Sequence, residues 1–146
     1  MSAAMPKIGA KPPLFVCSYN AIRSPMAAGL YAHLSGGQAV GSAGVEMQTI
    51  HPLVFAALSA AQIATPLEEG APLDALDLDH YGAVLALSLP AQRALEASGT
   101  VHEFWDLADF EPLPIGEGNR TAALAPFLEL RDTLLERITE RFSFAG

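Results

Sequence analysis

Short apolar runs that stop at polar loops, each followed by a helical pattern, recur along this chain and set its architecture. The first, Leu14-Phe15-Val16-Cys17, is unbroken over four residues, which suits a strand buried on both faces. Behind it, Ser24-Pro25 reads as a helix start with a capping hydroxyl and a proline in the first turn. Met26, Leu30, Tyr31 and Leu34 then share one stripe, and Gly36-Gly37 stops the helix. Ala39 to Ala43 reads as a second strand, and His51-Pro52 opens a helix running through Leu58. Tyr81 to Leu87 is the clearest buried strand, Pro90 to Ala97 a short helix, and Val101 to Leu107 the last strand. From Thr121 onward, Leu124, Phe127, Leu128, Leu130, Leu134, Leu135 and Ile138 recur at helical spacing. The acid- and proline-rich stretch from Thr65 to Asp79 reads as a solvated loop with one helical turn near Leu73 to Leu76.

This alternation predicts an α/β protein: an open four-stranded parallel sheet with helices on both faces. Residues 1–12, small and aperiodic, read as a flexible N-terminal arm, and 13–146 as a single domain. In such sheets ligands bind in the crevice beyond the carboxyl ends of the strands, and Cys17 stands at one of those ends.

At 146 residues and 51 % hydrophobic content the chain has enough apolar side chain for one real core. Its formal net charge of -8 repels nucleic acid and acidic membranes, so neither is expected as a partner. The same charge does nothing to attract an anionic substrate, so any phosphate site must be built locally. One cysteine excludes an internal disulfide and a Cys-rich zinc site; His33, His51, His80 and His102 are scattered without ligand spacing. No metal and no cofactor are expected. No segment approaches the roughly 20 apolar residues that cross a bilayer, and a cytoplasmic, soluble protein is the expectation.

The stretch Cys17-Ser18-Tyr19-Asn20-Ala21-Ile22-Arg23-Ser24-Pro25 carries the chemistry. It sets a thiol at a strand terminus, an arginine six residues later and a hydroxyl where a helix begins. A loop of that length curls so that the amides of residues 18 to 23 point at one spot, an anion cradle reinforced by the helix dipole. The planar fork of Arg23 clamps two oxygens of a phosphoryl group, and no other Lys or Arg lies between Lys11 and Arg93. A free thiol has a pKa of about 8.5, and helix N-termini and nearby cations lower such values. Ser24 is placed to donate toward a thiolate, and Asn20 suits the left-handed backbone that such a loop needs. Each feature has a plainer reading: a packed core cysteine, a surface arginine, an ordinary cap. Their joint order on a strand-loop-helix frame is what singles them out.

Cys17 to Ser24 resembles the Cys-x5-Arg-Ser loop of the low-molecular-weight protein tyrosine phosphatases and the related arsenate reductases. Phe15-Val16-Cys17, Arg23-Ser24-Pro25-Met26-Ala27 and Ser42-Ala43-Gly44 are similar to that family too. Trp105-Asp106-Leu107-Ala108-Asp109 is similar to its Trp-x3-Asp stretch, which ends in the general acid. The likeness spans roughly residues 13 to 142. It implies a flavodoxin-like three-layer α/β/α fold, Cys17 as nucleophile, Arg23 and the loop residues Ser18, Tyr19, Asn20, Ala21 and Ile22 as phosphate binders, and Ser24 as aid to the leaving thiolate. Of the two carboxylates there, Asp106 and Asp109, it favours Asp109 as the acid.

The match has departures. Tyr19 stands where the family commonly has glycine, narrowing the mouth. Phe110 replaces the proline of an Asp-Pro pair, and Phe110, Glu111 and Pro112 replace tyrosines that flank an aromatic substrate. Phe110 is still able to stack on a phosphotyrosine ring, while Glu111 repels an acidic peptide. Near Ile22, where many relatives carry a second cysteine, there is no thiol. The expected activity is hydrolysis of phosphomonoesters, with phosphorylated protein or a small phosphomonoester as substrate and phosphate or a similar oxyanion as ligand. Arsenate reduction with an external small thiol and a non-catalytic phosphate-binding domain are the alternatives. A monomer or weak dimer is expected.

Overall fold

The computed structural model describes residues 11–64, 67–116 and 118–144. Most of the arm expected over 1–12 lies outside the described residues, as do two positions of the loop expected from Thr65 onward. In chain order the elements are β1 (Leu14–Cys17), α1 (Arg23–Leu34), β2 (Gly41–Gly44), α2 (Pro52–Ala60), β3 (Ala71–Pro72), β4 (Val84–Ala86), α3 (Leu89–Ala97), β5 (Glu103–Phe104) and α4 (Arg120–Arg141). The strands form one sheet in the order β3-β2-β1-β4-β5, and every neighbouring pair is parallel. β1 is central, with Leu14 opposite Gly41 on one side and Val84 on the other.

The parallel α/β architecture is as expected, but with five strands in place of four. The extra one, β3, is only two residues long and pairs Ala71 with Ala43 and Pro72 with Gly44 at the sheet edge. Proline is tolerated there because an edge strand has one side with no ladder to donate to. A two-residue strand shows no alternation, so the acid- and proline-rich stretch gave no sign of it. The helical turn expected around Leu73 is present at Leu73–Ala75, and a second follows at Leu78–His80. The last strand is shorter than Val101 to Leu107: Val101 is almost fully exposed, and only Glu103 and Phe104 pair.

β1 shows why an unbroken apolar run was needed. Phe15 and Cys17 face the larger core, made with Met26, Leu30, Leu53, Val54, Phe127, Leu134 and Ile138 of α1, α2 and α4. Leu14 and Val16 face the smaller one with Val84, Ala86, Ala91 and Leu95, which α3 closes. Successive side chains point to opposite faces, and both faces are covered. On α4 the buried positions are Ala123, Phe127, Leu130, Leu134 and Ile138, a single stripe of three- and four-residue steps. Fully burying each of the larger ones contributes roughly 1.5–3 kcal/mol. Beyond α4, Phe142 packs edge-on against Tyr31 at 5.2 Å and Phe15 at 6.3 Å, closing the core margin. No helix among the described residues is long and apolar enough to cross a membrane.

Candidate active site

β1 ends at Cys17, whose side chain is buried, and α1 begins at Arg23; the loop between them lies at the carboxyl end of the sheet. Its shape follows from where its carbonyls go. The C=O of Cys17, Ser18, Tyr19 and Ala21 accept from the N–H of Val45, Glu46, Gln48 and His51 at 2.9 to 3.1 Å, and that of Ile22 from Met26 at 3.1 Å. In a trans peptide the carbonyl of one residue and the amide of the next point in opposite directions. Clamping five carbonyls outward therefore turns the amides of residues 18, 19, 20, 22 and 23 the other way. Among the described residues, no backbone carbonyl takes a hydrogen bond from those amides. Donors left together in this way form an anion-binding nest, here at the N-terminus of a twelve-residue helix.

Two further ties hold the loop. Asn20 is buried with φ of 51°, the left-handed geometry expected of it. Its Nδ2 donates to Ser24 Oγ at 2.6 Å, and its Oδ1 accepts from the N–H of Gly70 at 2.9 Å. Gly44, at the end of β2, comes so close that a Cβ there would lie 2.8 Å from the Asn20 nitrogen and 2.2 Å from the Glu46 oxygen. No side chain fits, so Gly44 sets the distance between loop and sheet.

Of the two roles expected of Ser24, the cap is absent and the contact with the thiol is present. Ser24 lies inside α1, fully buried, while Ile22 precedes the helix and supplies no side-chain cap. The Ser24 hydroxyl instead lies 3.0 Å from Cys17 Sγ and 3.2 Å from the Ala43 carbonyl, and the Ser24 amide donates to the sulfur at 3.4 Å. With Asn20 donating to its oxygen, the hydroxyl keeps its own proton for the sulfur or for Ala43. The true caps are His51 on α2 and Ser88 on α3. His51 Nδ1 accepts from the N–H of Leu53 at 3.1 Å, and burial holds its pKa below the ordinary imidazole value, in keeping with an acceptor nitrogen.

Arg23 reaches across the nest. One nitrogen, Nη1, donates to the Leu87 carbonyl at 3.3 Å, and Nη2 pairs with the Asp109 carboxylate. The guanidinium is largely buried, whereas Asp109 is 87 % exposed. Loop, arginine and acid border one cleft of about 800 Å³. Cys17, Ser18, Tyr19, Ala21, Ile22, Arg23, Asp109 and Phe110 line it; Asn20 and Ser24 stand behind the loop as supports. Phe110 leans on Phe127, ring centroids 5.1 Å apart and nearly perpendicular, so part of it is already committed to the core. Asp106 also lines the cleft, but Asp109 is the carboxylate that meets Arg23.

Sequence reasoning missed Gln48, Ser88 and Leu89 in the lining, and Gly70 behind it. Ser88 accepts a hydrogen bond from the Ser18 hydroxyl at 3.0 Å while capping α3. One signal for it was present: a polar residue directly after the apolar run that ends at Leu87, at the sheet end where ligands bind. A thiol beside two donors, a nest of amides, a guanidinium and a nearby carboxyl together supply what displacement at a tetrahedral oxyanion needs: nucleophile, charge clamp and proton donor. Among the described residues, no three His, Cys, Asp or Glu side chains are grouped to hold a metal ion.

The chain has recognisable relatives among known proteins. Residues 13–111 match the family model described as low molecular weight phosphotyrosine protein phosphatase. A glutaredoxin arsenate reductase of Synechocystis is 29 % identical over 131 residues, spanning 86 % of this chain and 91 % of that protein. Among solved structures, an arsenate reductase in the phosphate binding state superposes with a TM-score of 0.67 at 27 % identity, covering 90 % of this chain and 95 % of the other. A low molecular weight protein tyrosine phosphatase from T. tengcongensis shares the fold with a TM-score of 0.68 at 21 % identity, covering 91 % and 100 %.

Proposed function

The chain belongs to the low molecular weight phosphotyrosine protein phosphatase family, and on that footing we propose that it hydrolyses phosphate monoesters, protein phosphotyrosine foremost, through a cysteinyl-phosphate intermediate on Cys17. The observation that carries this reading is the buried sulfur of Cys17 beside a loop with five outward-clamped carbonyls, which turn the amides of residues 18, 19, 20, 22 and 23 toward the side where Arg23 stands. The dianion enters the nest, and Arg23 exchanges the Asp109 carboxylate for two phosphoryl oxygens. Cys17 attacks phosphorus in line; the S–P bond forms as the ester P–O bond breaks, and Asp109, protonated, gives its proton to the leaving oxygen. Asp109 then takes a proton from water, which attacks the phosphocysteine. The sulfur leaves as a thiolate, met by the Ser24 hydroxyl. No group outside the chain is needed, and a reducing, cytoplasmic setting keeps the lone thiol ready.

Arsenate reduction is the second reading, favoured by the relatives that carry that name and by the like shapes of arsenate and phosphate. It needs two electrons. With Cys17 the one sulfur nucleophile of the chain, a first external thiol must form a mixed disulfide with it as arsenite departs, and a second must free it. A domain that binds phosphate without turnover is the third.

One experiment separates them. Hydrolysis of an aryl phosphate by the wild type, abolished by at least about 10⁴-fold in Cys17→Ser, is the expected outcome. A wild type inert toward aryl phosphate that consumes arsenate with a small thiol overturns the reading in favour of the second. Phosphate binding with neither reaction leaves the third.

A further inference from the structure

Resting on the phosphatase reading, we propose that the cleft takes its phosphate on a segment of another protein whose neighbouring side chains are apolar and basic, and that it discriminates against acidic neighbours. Two independent features of the cleft border point this way, one apolar and one charged.

The apolar feature is a matter of placement. Among the described residues, eight large hydrophobic side chains are exposed, and six of them, Tyr19, Val45, Met47, Leu89, Leu113 and Ile115, belong to segments that border the nest. Tyr19 is in the loop itself, and Leu89 opens α3 beside Ser88. Val45 and Met47 lie on the strip whose amides hold the loop carbonyls; Leu113 and Ile115 follow Pro112 of the cleft wall. A free tetrahedral oxyanion is fully served by the nest and Arg23 and has no use for this border. A peptide chain running away from a bound phosphoryl group does, since exposed apolar side chains gathered around one site mark a macromolecular contact.

The charged feature chooses the peptide. Asp106, Asp109 and Glu111 line the cleft, and exposed Glu46 sits on the strip bound to the Ser18 carbonyl. Against them stands Arg23, which the phosphate itself occupies. Once the dianion is seated and Asp109 carries the proton it is to donate, the charged side chains left along the lining are the carboxylates of Asp106 and Glu111. Exposed charges act over about 10 Å at 0.1 M salt, so residues one or two places from the phosphorylated side chain fall within that field. Lysine or arginine there is drawn in, and glutamate or aspartate is repelled.

The test uses two phosphotyrosine peptides, identical except for Lys or Glu at the two positions on either side, with kcat/KM measured for each. The expected ratio is about tenfold in favour of the Lys peptide at low ionic strength, collapsing toward unity in 1 M salt, where the Debye length is about 3 Å. Glu111→Lys and Glu46→Lys should each lower the ratio several-fold; being a ratio, it is insensitive to a general loss of turnover. Leu89→Ser should raise KM for the Lys peptide several-fold, more than it lowers kcat. A wild-type ratio at or below one, a ratio that ignores salt, or one unmoved in both Glu variants overturns the proposal. A protein that hydrolyses aryl phosphate but shows no preference fails this inference alone, whereas one inert toward aryl phosphate and both peptides fails the phosphatase reading and the inference with it.

Discussion

The two walls of the cleft are built by opposite means. On one side the Cys17–Arg23 loop has five carbonyls tied to backbone amides, Asn20 tied at both ends of its side chain, and a glycine setting the sheet distance. On the other, residues 105–116 have no regular structure, and most are exposed. That segment is held by Trp105 against Phe15 at 6.0 Å, by buried Leu107, by Phe110 on Phe127, and by the pair between Asp109 and Arg23. Each buried hydrogen bond of the first wall contributes about 0.5–1.5 kcal/mol and is shared with no ligand. The ion pair of the second wall is solvent-screened on the Asp109 side, where such contacts give about 0–1 kcal/mol. On the proposed mechanism, the amide nest that must be fixed before the substrate arrives is fixed by backbone, and the residue that would move a proton is held by a contact the substrate could exchange.

Asp109→Asn tests this contrast where it is sharpest. The change should lower kcat by about 10²–10³-fold for alkyl or weakly activated aryl phosphates and far less for a nitrophenyl ester, whose leaving group needs no proton. Denaturant unfolding of the same variant should shift by less than about 0.5 kcal/mol, because an exposed carboxylate contributes little to the fold. A large stability loss would mean that the acid-bearing wall is as rigid as the loop.

Asn20 is the converse case. Asn20→Ala removes bonds to Ser24 and Gly70 and forces a Cβ-bearing residue with no compensating contact into φ of 51°. We expect a loss of about 2–3 kcal/mol in unfolding free energy and weaker phosphate binding. Asn20→Gly, which accepts the same backbone geometry, should recover about 1 kcal/mol of that loss without recovering phosphate affinity. Equal losses in the two variants would assign the whole effect to the hydrogen bonds and none to the backbone.

How much of this was legible before the structure differs between the same two walls. The loop could be read because its parts are contiguous: a strand ending in Cys17, an arginine six places on, and Ser24 beyond it. Peptide geometry alone limits where those groups can go. The inward hydroxyl of Ser24 was expected from the same contiguity, and the fold sets it 3.0 Å from the sulfur; what failed was its reading as a cap, since Ser-Pro marks helix starts and here Ser24 lies inside α1. The supports of the loop come from far away in sequence. Gly70 and the short β3 lie in a stretch whose composition reads as solvent-exposed, and Ser88 arrives from the end of β4. Such partners are chosen by strand order, which apolar periodicity does not encode. On the acid wall, Asp106 and Asp109 were both visible, but an irregular segment has no period from which to deduce direction. The fold separates them only in contact: Asp109 pairs with Arg23, while both line the cleft.

The smallest expected effect bears on how that wall is packed. Phe110 occupies the position next to Asp109, donates its N–H to the Asp109 carboxylate at 3.1 Å, and rests edge-on against Phe127 of α4. Half-buried rather than buried, its side chain should cost about 1 kcal/mol in stability when cut back to alanine. If the Phe127 contact is what positions the acid, Phe110→Ala should also lower turnover of poor-leaving-group esters several-fold while sparing nitrophenyl phosphate, a reduced copy of the Asp109→Asn pattern. Phe110→Leu, which keeps apolar contact with Phe127 and the same backbone donor, should restore most of the rate. Loss of rate with both leaving groups alike would place Phe110 against the substrate ring instead of behind the acid, and the second wall would then be a binding surface first and a proton carrier second.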